Sequence, residues 1–259
     1  MSNNYFSFKK FTIWQDRSAM KVTTDACLFG AWASHRIQKI YSSKFISTGR
    51  AIRVADVGAG TGLLSLMLHQ KNPSLEVEGI EIDPHAAEQA KDNISKAGAT
   101  THIKIHCGDA TDFIASAAYD IIISNPPFYR DDLKATRQKR NWAFHDETLS
   151  LPQLFAFIMK NLSENGNFFL LLPSRREQEL KTLMDNYAFQ LVEKIAVKST
   201  PDSPVHRILV AGTKIEGTLQ PSNRPQLKEL FTEEIDIASP SGEYSARFRE
   251  LLSEYYLSL

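Results

Sequence analysis

Apolar runs rich in Val, Ile and Leu recur at 52–57, 75–82, 102–107, 119–124 and 166–172, and the segments between them carry helical spacing. Short apolar runs that alternate with helices read as parallel strands buried on both faces, which predicts an α/β fold. After a helix near Ser174–Asn186 come two longer strand-like runs, Phe189–Lys198 and His206–Thr213. The link between them, Ser199-Thr200-Pro201-Asp202-Ser203-Pro204, is too short for a parallel crossover, so this last pair is antiparallel. The pattern therefore predicts a mostly parallel seven-stranded sheet that ends in an antiparallel hairpin.

The flanks read differently. Residues 5–22 alternate apolar and polar positions (Phe6, Phe8, then Phe11, Ile13), as in a small hairpin. Thr24 or Asp25 is placed to N-cap a short helix with Leu28, Phe29 and Trp32 on one face. Ser42–Gly49 reads as a polar connection, 214–243 as an irregular, proline-containing excursion, and Tyr244–Leu257 as a docked helix. The expected organisation is an N-terminal hairpin and helix extension (1–49), a ligand-binding catalytic domain (50–215) and a C-terminal excursion and helix (216–259) belonging to that same domain.

Composition narrows the picture. At 259 residues and 42% hydrophobic content the chain can build one well-cored domain with additions. Thirty Lys and Arg balance thirty Asp and Glu, so no global field draws in nucleic acid, and any such partner needs a local basic cluster. Cys27 and Cys107 suit neither a disulfide framework nor a zinc site, and both are expected to pack as small apolar groups. No metal is expected. The N-terminus lacks the apolar stretch of a signal peptide and no run reaches transmembrane length, so the expectation is a cytoplasmic protein without a membrane partner.

The candidate chemistry lies at strand ends. Asn125-Pro126-Pro127-Phe128 follows the run 119–124 directly. Two prolines lock two φ angles and remove two amide donors, which leaves a stiff corner rich in acceptors. Its amide side chain, bare carbonyls and aromatic face suit a planar amino group and the ring that carries it. Upstream, Gly58-Ala59-Gly60-Thr61-Gly62 follows the strand ending in Asp56-Val57. These glycines allow a tight turn and close ligand approach. The G-x-G-x-G spacing is not that of dinucleotide sites, and Asp56 repels a phosphate but attracts a cationic amino group. Glu81 ends the next strand 23 positions after Gly58, near the spacing of about 20 at which an acid meets a ribose diol. Ile82 is set to lie on an adenine face, and Asp109, in Gly108-Asp109-Ala110, to accept from an adenine amine.

In combination these motifs resemble those of class I S-adenosylmethionine-dependent methyltransferases, over roughly residues 50–215, and N-P-P-F resembles the signature of members that methylate a planar amino nitrogen. The stretches Phe8-Lys9-Lys10-Phe11, Gln15-Asp16, Met20-Lys21-Val22-Thr23-Thr24-Asp25 and Gly30-Ala31-Trp32, with the tail Tyr244-Ser245…Phe248…Tyr255-Tyr256-Leu257, are similar to the bacterial tRNA adenine-N6-methyltransferase family that acts on valine tRNA at adenosine 37, 3′ of the anticodon. The resemblance implies a Rossmann-like fold and S-adenosyl-L-methionine as cofactor. It implies a tRNA substrate. The oligomeric state stays open, with a monomer favoured.

It also implies catalytic roles for Asn125, Pro126 and Phe128, with Asp56, Gly58, Gly60, Gly62, Glu81, Ile82, Asp109, Ala110, Asn125 and Thr24 around the cofactor. Lys21 lies in a segment that contacts cofactor or substrate, and Arg130, Lys134, Arg137, Lys139 and Arg140 form a local basic cluster suited to phosphates. Other planar amines, guanine N2 in ribosomal RNA or a release-factor glutamine, fit N-P-P-F equally well. A non-catalytic RNA-binding protein of the same fold is the remaining alternative, and the intact acids and Asn125 argue against it.

Overall fold

The computed structural model describes residues 3–48, 50–126, 149–187, 189–214 and 230–259. A hairpin of β1 (Tyr5–Ser7) and β2 (Thr12–Trp14) leads into the 25-residue helix α1 (Thr24–Thr48). The core then alternates β3 (Ile52–Val57), α2 (Leu63–Lys71), β4 (Leu75–Glu81), α3 (Pro84–Lys96), β5 (Ile103–Cys107) and β6 (Tyr119–Ser124). It continues with α4 (Leu151–Asn161), β7 (Leu162–Pro173), α5 (Glu177–Asn186), β8 (Phe189–Lys198), β9 (Arg207–Lys214), β10 (Phe231–Asp236) and α6 (Ala246–Leu252).

One eight-stranded sheet runs in the order β10-β8-β9-β7-β6-β3-β4-β5. Only β9 is antiparallel to its neighbours, as the short link before it requires. The chain leaves β3 toward β4 and β5, then returns to β6 on the other side of β3. That reversal opens a crevice at the carboxyl ends of β3 and β6, where open α/β sheets bind ligands.

The central strands serve two cores. In β6, Ile121 and Ile123 face the cluster built with α1, α2, α3 and α6, whereas Tyr119 and Ile122 face the one built with α4 and α5. All six β6 residues are buried, which accounts for its continuous apolar reading. The C-terminus closes the first face. Phe248, Leu251, Leu252, Tyr255 and Tyr256 are buried, the Tyr255 hydroxyl donates to Met67 O (3.1 Å), and Lys9 N donates to Tyr255 O (2.8 Å).

Several expectations change. The expected seven strands are present, and β10 adds an eighth inside 214–243, pairing parallel with β8 and not forming an irregular excursion there. Ile235 is the one buried residue of β10, whose Phe231 and Thr232 are exposed, and a one-residue core contribution leaves little periodic signal. The first helix is long: it continues through 42–48 in place of a connection. Its cap is neither Thr24 nor Asp25 but Thr23, whose Oγ1 accepts from Ala26 N (3.3 Å). At the C-terminus only Ala246–Leu252 is helical, capped by Ser245 Oγ on Phe248 N (3.1 Å). Cys27 is buried as expected, but Cys107 is exposed. Among the described residues no helix is long and apolar enough to cross a membrane.

Candidate active site

Strand register decides which strand ends meet. Val57 pairs with Ile80 and with Ser124, and Glu81 pairs with Cys107. The residues just beyond, Gly58, Glu81, Gly108 and Asn125, therefore share one edge of the sheet. The buried Ser124 hydroxyl donates to Val57 O (2.7 Å), which ties the base of the proline corner to the base of the glycine turn.

A cavity of about 740 Å³ opens at this edge, and Asn125 and Pro126 line it together with Gly58, Gly60, Glu81 and Asp109. Gly58 and Gly60 have φ of 74° and 55°, and a Cβ at either position would meet no protein atom within 4 Å. Those glycines thus bare the backbone toward open space, as a turn built for close approach requires. Gly62 differs. It has φ 79°, N-caps α2, and a Cβ there would lie 3.4 Å from Ala90 Cβ, so it serves helix packing and does not line the cavity.

Glu81 sits in the cavity wall with both oxygens held: Oε2 accepts from Gly60 N (2.7 Å) and Oε1 from Asp83 N (2.9 Å). Burial pushes its pKa up, and the two amide hydrogen bonds oppose that shift. Asp83 in turn N-caps α3 by accepting from His85 N (2.9 Å). Asp109 Oδ1 accepts from Thr111 N (2.7 Å), while the exposed Ile82 and the largely buried Ala110 add apolar wall.

Asp56 is not a wall residue. It is fully buried, and its Oδ2 accepts from Ser65 N (3.1 Å) and Ser65 Oγ (2.6 Å) in the first turn of α2. Gly62, at the N-cap, has no side chain to bond those amides, and the carboxylate reaching up from β3 takes that place. Burial raises its pKa to about 6, against the lowering effect of the two Ser65 hydrogen bonds. Its charge and its place just before the glycine turn suggest a ligand group. Only the fold shows the side chain turned under the helix.

Thr24 begins α1 and does not line the cavity. Lys21 does not either: its ammonium donates to Gln15 O within the N-terminal segment. Asp25, beside Thr24, pairs with Arg207 Nε at 2.9 Å. Phe128, Arg130, Lys134, Arg137, Lys139 and Arg140 lie outside the described residues.

Two parts of the wall went unpredicted. Ser18, Ala19 and Met20 reach the cavity from the N-terminal segment, and Leu149, Ser150 and Gln153 from the start of α4. Ser150 and Gln153 form a capping box there, with Ser150 N donating to Gln153 Oε1 (2.9 Å) and Gln153 N to Ser150 Oγ (3.4 Å). The S-x-x-Q spacing was visible in sequence as a helix start, but nothing local connected it to a ligand. Among the described residues no group of three or more His, Cys, Asp or Glu is arranged to hold a metal ion.

Comparison with known proteins adds three findings. Residues 20–199 match the model of the methyltransferase small domain. Proteins named tRNA1(Val) (adenine(37)-N6)-methyltransferase align along the full length. The one from Parabacteroides distasonis is 36% identical over 100% of both chains, and that from Bacteroides thetaiotaomicron 33% identical over 100% of both. Among solved structures, a chain assigned as a class I S-adenosylmethionine-dependent methyltransferase from Listeria monocytogenes superposes with TM-score 0.59 at 14% identity, covering 85% of this chain and 67% of that one. A predicted O-methyltransferase from Agrobacterium tumefaciens gives TM-score 0.58 at 16% identity, over 88% and 95%. At such identities the structural likeness speaks for the fold alone.

Proposed function

The chain belongs to the methyltransferase small-domain family, with full-length relatives named as tRNA1(Val) adenine-37 methyltransferases, and from that premise we propose that it methylates the exocyclic N6 of adenosine 37 in valine tRNA. The observation that carries the proposal is one continuous cavity joining Asn125 and Pro126 to the glycine turn and to the carboxylates of Glu81, Asp83 and Asp109. The fold and the family are those of S-adenosylmethionine-dependent enzymes.

The residues present suit that cofactor. Gly58 and Gly60 leave a cradle that a Cβ would fill, and Glu81 offers a carboxylate to a ribose diol. Ile82 and Ala110 supply apolar contact for an adenine ring, and Asp109 an acceptor for its amine. Neither Asp56 nor Gly62 is part of this set. When bound, S-adenosylmethionine supplies an electrophilic methyl group on a sulfonium.

An adenine N6 lone pair is delocalised into the ring, which makes it a poor nucleophile. The Asn125 side-chain oxygen and the Pro126 carbonyl can each accept one N–H, drawing the nitrogen toward tetrahedral geometry and localising the lone pair. Because Pro127 carries no amide hydrogen, no backbone donor of that residue competes with the Pro126 carbonyl. No general base is required, since the proton leaves after transfer, when the nitrogen is acidic. Catalysis then consists mainly of alignment, with modest electrostatic help. Phe128 supplies by sequence the aromatic face for the extruded base, a stacking contact worth about 1–3 kcal/mol. An anticodon-loop base is already unpaired, so its extrusion costs little.

Mass spectrometry of nucleosides from purified valine tRNA, taken from cells with and without the gene, tests the substrate. Loss of N6-methyladenosine is expected, and an unchanged content overturns the assignment. In vitro, Asn125→Ala should lower methyl transfer by at least two orders of magnitude with S-adenosylmethionine affinity near wild type. A variant of normal rate removes Asn125 from the chemistry.

A further inference from the structure

Two buried polar side chains beside the cavity have no part in the chemistry above. Asn93 (0% exposed) and Gln89 (1% exposed) lie four positions apart, on one face of α3. Asn93 Oδ1 accepts from Trp14 N (3.0 Å), while its Nδ2 donates to Trp14 O (2.9 Å) and to Thr61 O (2.9 Å). Gln89 Oε1 accepts from Arg17 N (3.0 Å).

These bonds join two separate stretches of chain. Thr61 sits between Gly60 and Gly62, both at positive φ, in the turn that forms the cavity floor. Trp14 and Arg17 begin the segment whose Ser18, Ala19 and Met20 line the same cavity. Farther along, Gln15 Oε1 accepts from Val22 N (2.8 Å) and Ser18 Oγ donates to Met20 O (3.0 Å), which folds the strap over itself. A single amide at Asn93 therefore satisfies both ends of a bridge between floor and roof. If the strap lifts, the buried Asn93 amide loses both of its Trp14 partners.

We propose that Asn93 and Gln89 are positioning residues that hold the Trp14–Val22 strap and the glycine turn in one register, so that the roof and floor of the cofactor cavity form together. The inference rests on reading that cavity as the S-adenosylmethionine site.

Asn93→Asp keeps size and the acceptor for Trp14 N but removes both donations. Calorimetry with S-adenosylmethionine, hydrogen exchange of peptides covering 12–22 and steady-state kinetics read the result. The expected outcome is affinity weakened at least tenfold, faster exchange in the strap, and a KM for S-adenosylmethionine raised at least tenfold with kcat within threefold of wild type. Gln89→Met, which removes the whole amide and with it the acceptor for Arg17 N, should give a smaller change in the same direction. Faster exchange with affinity within twofold of wild type overturns the coupling and leaves Asn93 a staple of the fold. Should Asn93→Asp not fold, Gln89→Met decides by the same criteria. A wild-type protein that fails to bind S-adenosylmethionine instead refutes the reading of the cavity.

Discussion

At the scale of single residues, environment decides what a carboxylate does. Asp56, Glu81 and Asp109 all lie near the carboxyl ends of successive strands, yet Glu81 and Asp109 face the cavity and Asp56 caps α2. Sequence position near a strand end places the backbone; which face the side chain takes depends on the strand's pleat and the helix above it. The Asp56 carboxyl has a folded pKa of about 6 against an ordinary 3.8. The folded protein thus holds this proton more tightly than the unfolded chain does. The contribution favours the fold below about pH 4 and is lost as pH rises through about 6, on the order of 3 kcal/mol at full extent. Asp56→Asn, which keeps an oxygen for Ser65, should flatten the slope of stability between those pH values. Urea unfolding at pH 4.5 and 7 checks this, and an undiminished slope assigns it to other groups.

Elements were legible where a strong local pattern met a uniform environment. β6 is buried on both faces and its six residues coincide with the apolar run read from sequence. Glycine is required inside β9 for another reason: a Cβ on Gly212 would lie 2.2 Å from Phe168 Cζ. That ring is fully buried and packs edge-on against Phe155 and Phe189 (centroids 5.9 and 5.2 Å), so it has little room to yield. Gly212→Ala should cost about 1–3 kcal/mol by overpacking. Thermal unfolding should show a lowered midpoint, and a midpoint equal to wild type means the ring moves freely. Of the boundaries that sequence missed, the added β10 is stabilised by pairing with the distant β8 and not by breakers in the chain.

The whole molecule is closed by its two ends. β1 and β2 pack on α3 through Asn93, and the Tyr255 and Tyr256 region locks both the hairpin and α2. Tyr255 is fully buried and its hydroxyl reaches Met67 O. Tyr255→Ala should therefore destabilise by about 3–5 kcal/mol, as a large aromatic deletion in a core does. A lower urea midpoint at unchanged slope is expected, and a midpoint shifted by less than a fifth of that amount means the tail is dispensable.

Local chemistry along the chain determined the alternation of strands and helices, the antiparallel end of the sheet and the glycine turn, because periodicity and backbone restriction act over a few residues. Only the tertiary structure decided that Asp56 turns inward, that Gly62 serves packing, and that Ser18–Met20 and Ser150–Gln153 complete the cavity. Those outcomes depend on which distant segments lie against a side chain, and that contact carries no trace in the residue's own neighbourhood of sequence.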